Sequence, residues 1–367
     1  MMADVKFDNS TYTFDALEQK YRNFFAPAFE VTIDGTNLTR QSVAISSISV
    51  NTITKNEADS VSFTVENAYD PIRREFQWTD SLLAIGKYIT VKMGYTDKLE
   101  TVFYGIITTV DLDFPAQGNP TVQVQAMDPS FFMTKGTHSN TWLKKKDSDV
   151  VKAVGAKYGL RMVVDDTTVE KETIEQSETT DFLFLSELAQ QNHFDFFVVG
   201  KTLYFRKPKQ SKVPIMTLMY GKNLRSFSTT IDLSGQVSQV VVRGYDKKTL
   251  KPIEAASRNI DIIGNNSRTG RDIMRSLADY TKQYYYTNAG TLQEAQHLAD
   301  AIMNEIAMDL IKGQGESIGI PELRAGRYLK LDGLGSKFNQ VLYLTQVTHT
   351  ISASGYLTTF IVEGNAI

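Results

Sequence analysis

The residues in this sequence that could do chemistry are few and scattered. Its four histidines, His138, His193, His297 and His349, show neither an HExxH pattern nor a paired spacing, so no metal-ligand set is legible. The chain has no cysteine, which excludes thiolate ligands, disulfides and cysteine nucleophiles. There is no GxSxG elbow and no Walker sequence. GQGESIG at 313–319 resembles a dinucleotide loop with one extra residue, but that fingerprint needs a strand before it and a helix after it. Here a helix precedes, so the segment reads as a helix stop and a loop. The adjacent carboxylates Asp165 and Asp166 come nearest to a general acid–base pair, yet between KYGLRMVV and TTVEKET they read as a turn. His349 falls in an alternating strand and reads as a hydrogen-bonded structural imidazole. The expectation is no catalytic residue, no cofactor and no metal.

The elements available to position any site come from composition and periodicity. A chain of 367 residues with 42% apolar content supports ordinary cores, and its length suggests about two or three domains. Net charge is −3, and the basic runs LKKKD (143–147) and RKPKQSK (206–212) are short and carry no interleaved aromatics. They read as solvated loops, which argues against nucleic acid as a main partner. No apolar stretch approaches the ~20 residues needed to cross a bilayer, and MMADVKFDNS lacks the regions of a signal peptide. Synthesis in the cytoplasm of the producing cell is therefore expected.

An arm at 1–26 carries a short helix, FDALEQKYRNFF. FEVTIDGTNL (29–38) reads as two strands around an Asp-Gly turn. Helices are predicted at 147–159, capped by Asp147 or Ser148 and stopped by Gly159, and at 179–194, opened by a threonine. In 291–313, Thr291 and Glu294 form a capping box and Gly313 marks the stop. The segment 271–288 is predicted as a further helix with an aromatic end. In the unit 131–212, Val150, Val151, Val154, Leu183 and Leu188 are expected to face inward.

Part of the sequence occurs twice. GKYITVKMGY (86–95) matches GRYLKLDGLG (326–335), and VFYGIITTVDLD (102–113) lies over LYLTQVTHTISA (342–353) at the same offset of 240. TVQVQAM (121–127) then matches TTFIVEG (358–364), and VSFTVENAYD (61–70) matches VSQVVVRGYD (237–246) at an offset of 176. Preserved block order predicts a duplicated β-domain whose second copy is interrupted, with Tyr88 equivalent to Tyr328 and Val65 to Val241.

Whole blocks carry a family resemblance: QSETTDFLFLSELAQQNHFDFFVVGKTLYF (176–205), GQVSQVVVRGYDKKTLKPI (235–253), the run 291–338, and YLTQVTHTISASGYLTTF (343–360). In this order they resemble the phage late control protein D family, baseplate hubs of contractile tails, and the N-terminal part of the type VI secretion spike protein. The resemblance implies a mainly β fold with α+β insertions and two tandem similar tube-type β-barrels. The expected division is an arm at 1–26, a first barrel at 27–130, an α+β domain at 131–212, a second barrel at 213–250 and 314–367, and a helical insertion at 251–313. It also implies a homotrimer whose six barrels adapt a sixfold tail tube to a separate trimeric spike, because this sequence ends at GNAI (364–367). Other baseplate proteins would be partners, the α+β unit would contact them outside the ring, and the particle would be a released phage tail, tailocin-type bacteriocin or related device. The hairpins DLDFPAQGNP (111–120) and SASGYL (352–357) fall at equivalent places, making Asp113, Phe114, Pro115, Ser354 and Tyr356 the interface candidates. A tail-associated peptidoglycan hydrolase or wall-binding protein is the alternative reading.

Overall fold

The computed structural model describes residues 5–55, 57–208, 212–286 and 289–367. Expectations touching residues 1–4 of the arm, 209–211 of the RKPKQSK run and 287–288 of the Tyr-rich segment lie outside the described residues.

The chain is mainly β. After helix α1 (Phe14–Lys20), the first half supplies β1 (Pro27–Ile33), β2 (Thr36–Asn37), β3 (Ile45–Ile53) and β4 (Ser60–Val65). A small hairpin of β5 (Tyr69–Asp70) and β6 (Glu75–Phe76) precedes β7 (Tyr88–Tyr95), β8 (Lys98–Asp113) and β9 (Thr121–Met127). The turn between β1 and β2 places Asp34 and Gly35 both at positive φ, which Asp-Gly tolerates and a tight hairpin needs. The α+β unit follows, with β10 (His138–Lys146), α2 (Asp147–Gly155), β11 (Arg161–Val164), β12 (Glu170–Thr179), α3 (Asp181–Asn192), β13 (Asp195–Val199) and β14 (Thr202–Arg206). β15 (Pro214–Met219) and β16 (Leu224–Ile231) begin the second half. An excursion through β17 (Gln239–Asp246), β18 (Lys251–Ser257), α4 (Gly270–Leu277), β19 (Thr281–Tyr285) and α5 (Leu292–Met308) then leads back to β20 (Ile311–Ile318), β21 (Tyr328–Asp332), β22 (Val341–Ser352) and β23 (Gly355–Gly364).

The duplication is visible in the strand order. In the first half the ladder runs β3-β4-β9-β8-β7-β1, and in the second β16-β20-β23-β22-β21-β15. Irregularities repeat with it. The β8–β9 ladder shifts register after Ile107, and β22–β23 after Leu344. The β3–β4 ladder shifts after Ile45, and β16–β20 after Leu224. Two entrance glycines are also equivalent: Gly86 donates to the Ile107 carbonyl at 2.9 Å and Gly326 to the Leu344 carbonyl at 2.8 Å. Their φ values, +87° and +85°, are the left-handed conformation that glycine adopts without a Cβ clash. Tyr88 and Tyr328, two residues on, both open their strands as expected. The sixth strand differs, since β1 runs antiparallel to β7 and β15 parallel to β21. Among the described residues neither ladder closes on itself. Instead β3 pairs with β22, so both halves form one 13-stranded sheet.

Several expectations need correction. Val241 lies in β17, outside the large sheet, so it is not equivalent to Val65; β20 occupies the place of β4. The matched pattern in VSFTVENAYD and VSQVVVRGYD reflects the same packing demand on strands rather than the same place in the fold. The equivalence of β8 and β22 is three residues away from the 240 offset, which would pair Ile107 with Val347 rather than Leu344. The excursion starts after β16 and contains a three-stranded sheet, β18-β17-β19, with α5 packed on it, so 251–313 is not purely helical. Its aromatic end, TKQYY, is β19 rather than helix. GQGESIG belongs to β20: α5 stops at Asp309 without glycine, and the glycines stand in the strand beside aromatic rings. A Cβ on Gly313 would lie 2.6 Å from Phe227 Cζ, and one on Gly315 2.3 Å from Phe360 Cζ. Residues 143–146 of LKKKD form the end of β10, paired with β12, Asp147 opens α2, and α2 is entered from Lys146 without a side-chain cap.

The large sheet wraps one core. Val31, Val50, Phe63, Phe103 and Val124 of the first half share a cluster with Leu218, Ile311, Leu329, Leu344 and Phe360 of the second. The α+β unit has its own core around Val150, Val151, Val154, Leu185, Leu188 and Phe205; Leu183 is exposed, facing away from it.

The equivalent glycines allow a matched test. Gly86→Ala meets no atom within 4 Å and should cost about 1–2 kcal/mol for its positive φ alone. Gly326→Ala would also place its Cβ 3.1 Å from both Arg206 Nη2 and Phe7 Cζ, so urea unfolding should show the larger loss there.

Candidate functional site

The place where the two halves meet combines main-chain pairing with buried charge. Its frame is main-chain pairing, antiparallel from Gln346↔Ile53 to Ile351↔Ile48. Side chains follow the same seam. Gln346 Nε2 donates to Asn51 Oδ1 at 2.8 Å, Thr348 Oγ1 to the same oxygen at 3.0 Å, and Thr52 Oγ1 to the Val347 carbonyl at 3.2 Å. Threonines and β-branched neighbours suit this position because they satisfy the pleat and supply hydroxyls within reach of the next strand.

Beneath the seam lies a chain of buried charge. Arg324, on the loop before β21, forms an ion pair with Asp59, just ahead of β4, and donates to the Val102 carbonyl at 2.9 Å. Asp59 also accepts the Ile53 N–H at 2.9 Å, and its own N–H donates to Asp128 at 2.6 Å. Asp128 caps the turn that follows β9 by accepting the Ser130 N–H at 2.6 Å. Burial pushes Asp59 up to about 6, against the pull of Arg324. Burial, reinforced by the charge of Asp59, pushes Asp128 up to about 7. Arg324 pairs with Asp59 alone, and the two neighbouring carboxyls disfavour double ionisation.

His349, in the seam strand β22, is fully enclosed. Its Nε2 is 2.9 Å from the Leu323 carbonyl and must carry the proton; Nδ1 accepts from among Thr358 Oγ1 at 3.0 Å and Tyr356 Oη at 3.1 Å. Burial lowers its pKa to about 4, so the ring is neutral and structural. Around it, the Tyr356 ring lies 5.6 Å from that of Tyr95 in a tilted arrangement, and the Tyr95 hydroxyl donates to the Gly319 carbonyl at 2.8 Å, a second tie between the halves.

The arm adds a strap. Tyr12 N–H donates to the Ile215 carbonyl at 2.7 Å, Tyr21 Oη donates to Glu322 at 2.6 Å, and Lys20 bridges Glu100 at 2.7 Å and Glu322 at 2.8 Å. The α+β unit is bound to the second half by Tyr343 donating to Asp195 and by Arg206 donating to the Gly326 carbonyl.

The five interface candidates divide. Asp113, Phe114 and Pro115 stand exposed together at the β8–β9 hairpin, where Phe114 lies 5.1 Å from the Phe76 ring. Ser354 is exposed in the equivalent β22–β23 turn, but Tyr356 is buried in the core. Asp165 and Asp166 are both engaged: Asp165 accepts the Lys207 N–H at 2.9 Å, and Asp166 accepts Lys146 Nζ at 2.8 Å and Ser148 Oγ at 3.1 Å. The hydrogen bond from Lys146 holds Asp166 below the usual carboxylate range, the opposite of what a general acid needs. A cavity of about 200 Å³ between the α+β unit and the excursion is lined by His193, His297, Asp300 and Asn304. Burial lowers the pKa of His297, which contacts Asn192 Oδ1 at 2.7 Å. Among the described residues no group of three or more His, Asp or Glu is placed to hold a metal ion, and no helix is long and apolar enough to cross a membrane. The ties Arg324–Asp59 and Tyr343–Asp195 had no signal in the sequence, since nothing local marks partners 265 and 148 positions apart.

This fold is that of solved tail proteins. The prophage MuSo2 43 kDa tail protein from Shewanella oneidensis superimposes with a TM-score of 0.70 at 11% identity, covering 92% of this chain and 98% of its own. A tail protein from Neisseria meningitidis MC58 gives 0.68 at 12% identity, covering 92% and 97%. The E. coli c3393 protein, described as a component of the type VI secretion system with structural similarity to T4 tail proteins gp27 and gp5, gives 0.55 at 12% identity, covering 92% and 77%. The chain belongs to the family described as the Alg8 N-terminal domain, whose model matches residues 26–353. That family, and not the late control protein D family, is the one whose model matches. Comparison with curated proteins gave no match.

The raised carboxyls set a pH dependence. A carboxyl whose pKa is higher folded than unfolded stabilises the fold fully below the ordinary carboxylate range, and that stability is lost as pH rises through the folded value. Neutral His349 acts oppositely, its contribution being lost as pH falls from about 6.5 toward 4. The difference between the unaltered chain and Asp128→Asn isolates the carboxyl. Urea midpoints should show the unaltered chain losing at least about 1 kcal/mol relative to the variant between pH 4 and 7.

Proposed function

We propose that this chain is a structural hub of a contractile injection particle, with no chemistry of its own. Three copies would set six similar β-units in a ring that meets a sixfold tail tube on one side and a separate trimeric spike on the other. The observation that carries this reading is the repetition of one strand order, with its bulges and entrance glycine, in two halves joined edge to edge. A chain with two equivalent units per copy presents a near-sixfold surface when threefold, which is what a mismatch between tube and spike demands. The shared fold with tail proteins and with a type VI secretion component supports the same setting. So does the engagement of Asp165 and Asp166 in structural hydrogen bonds. The late control protein D family, phage tails and tailocin-type bacteriocins are the contexts this reading fits, with assembly in the bacterial cytoplasm before release. The domain division set out from the sequence is kept with one change: the second unit is formed by 214–231 with 311–364, and the excursion occupies the residues between.

The test is stoichiometry in the assembled particle. Imaging particles from the producing cells should place three copies at the junction of tube and spike; six or two copies would defeat the reading. Incubating the purified chain with cell walls should release no soluble fragments. Release abolished by substituting one carboxylate would favour a hydrolase instead.

A further inference from the structure

The arm is held to the rest of the chain as a peptide is held in a binding groove. From residue 5 to residue 12 it has neither helix nor strand and is mostly exposed, so its attachment rests on a few anchors. Val5 is buried, and Phe7 meets the rings of Phe197 and Tyr204 edge to face at 5.3 and 4.9 Å. The guanidinium of Arg206 lies over both Phe7 and Phe197. Tyr104 of the first half belongs to the same apolar cluster, so the arm joins the α+β unit to the large sheet. Just beyond, the buried Arg327 donates to the carbonyls of Asp8 and Ser10, the latter at 2.8 Å. An aromatic and cationic cage for one ring, beside an arginine fork for two carbonyls, is the chemistry that recognises an extended segment carrying a phenylalanine.

The hinge behind the arm is strained. After α1, Arg22, Asn23 and Phe24 follow one another at φ of +50°, +59° and +58°, and Ala26 stands at +53°. Of these residue types only asparagine visits the left-handed region readily; in the others the Cβ crowds a carbonyl oxygen. Ala26 also precedes Pro27, and proline biases the residue before it toward extended backbone at negative φ. The sequence of the hinge therefore favours an extended course, and the contacts of the arm hold it in a tight turn.

Nearly all of those contacts belong to the segment before the hinge. Besides the groove, they are Leu17 and Tyr21 of α1 in the common core, and Lys20 and Tyr21 on Glu322. The same segment arriving from another molecule would make every one of them. Only Phe24, whose ring lies 5.3 Å from that of Tyr95, is a hinge residue that also packs on the core.

We propose that the groove takes the arm of a second copy, with residues 5–21 of one chain seated on the next and residues 22–26 extended between them. The occupant is this segment because groove and segment are already matched within one chain. Exchange keeps the anchors before the hinge and releases the left-handed turn, the condition under which a short strained hinge favours swapping. Extended, residues 22–26 span about 17 Å, enough to carry the arm off its own groove toward that of an adjacent copy. This goes beyond the hub reading and does not depend on the number of copies.

The chain has no cysteine, so engineered cysteines report directly. Tyr12 N–H donates to the Ile215 carbonyl at 2.7 Å, which brings their Cα atoms near the ~5–6 Å that a disulfide spans. A tagged full-length Tyr12→Cys chain is co-expressed with an untagged Ile215→Cys chain, purified and oxidised. Exchange should give a reducible tagged–untagged pair bonded between positions 12 and 215. Asn23→Pro, which forbids the positive φ, should raise its yield roughly threefold, and Ala26→Gly, which removes a Cβ from the turn, should lower it by a similar factor. The associated fraction of the cysteine-free chain, measured by mass at fixed concentration, should follow the same order. If Asn23→Pro does not fold, Ala26→Gly and the unaltered hinge decide by the same two measurements. Absence of the tagged–untagged pair while the chain carrying both cysteines forms the bond within itself overturns exchange. So does an associated fraction that ignores or reverses the order of the hinge variants. A trimer seen by mass whose 12–215 bonds all lie within single chains overturns exchange and leaves the hub reading standing.

Discussion

The main-chain hydrogen bonds between residues 48–53 and 346–351 turn two sheets into one, and the rest of the structure is organised around keeping them in register. An unprotected strand edge pairs with whatever strand reaches it, and a one-residue slip reverses every side chain between core and solvent. The seam prevents both. Its alternate residues enter a common core, and Asn51, Thr52, Gln346 and Thr348 lock the register with side-chain hydrogen bonds. β3 and β22 each carry a register irregularity just before the seam begins, against β4 and β23 respectively.

The buried charges make sense in the same terms. Arg324 comes from the second half and Asp59 from the first, so their pair is formed only when the seam is closed. Removing two ions from water costs several kcal/mol each, and their attraction offsets this only with good geometry and further hydrogen bonds. Asp59 has those further bonds, to the backbone of Ile53 and through its own amide to Asp128. The cluster therefore contributes specificity of arrangement more than net stability. Tyr343 with Asp195, and Arg206 with the Gly326 carbonyl, do the same for the α+β unit. The Gly326 contact falls on the one entrance glycine of the pair that has neighbours, which is where the two otherwise similar halves have been made different.

Apart from the sixth strand, antiparallel as β1 and parallel as β15, the differences between the halves lie outside the repeated ladder. The excursion from β17 to α5 is inserted between the strands equivalent to β3 and β4, and it carries its own small core. The α+β unit sits between the two halves in sequence and also has its own core. Both additions form small sheets of their own and leave the strand order of the large sheet intact.

How much of this was legible in the sequence follows from the range of the interactions. Local rules were enough for the Asp-Gly turn at 34–35, the Thr180 cap of α3, the Thr291–Glu294 capping box of α5 and the alternation of the large-sheet strands, since each depends on residues within one or two turns. The duplication was legible in order, and the entrance glycines and Tyr88/Tyr328 held because a positive-φ turn leaves a residue-specific mark. Composition misled where packing decides. GQGESIG looked like a helix stop and a loop because a helix precedes it, yet it is strand, and the rings of Phe227 and Phe360 occupy the space its missing side chains leave. TKQYY looked like the end of a helix until β17 offered it a partner. Val241 looked like Val65 because all buried strands draw on the same few residues. The seam itself, the Arg324–Asp59 pair and the burial of Tyr356 join positions far apart in the chain, and only the folded structure brings them within the few ångströms at which hydrogen bonds and ion pairs act.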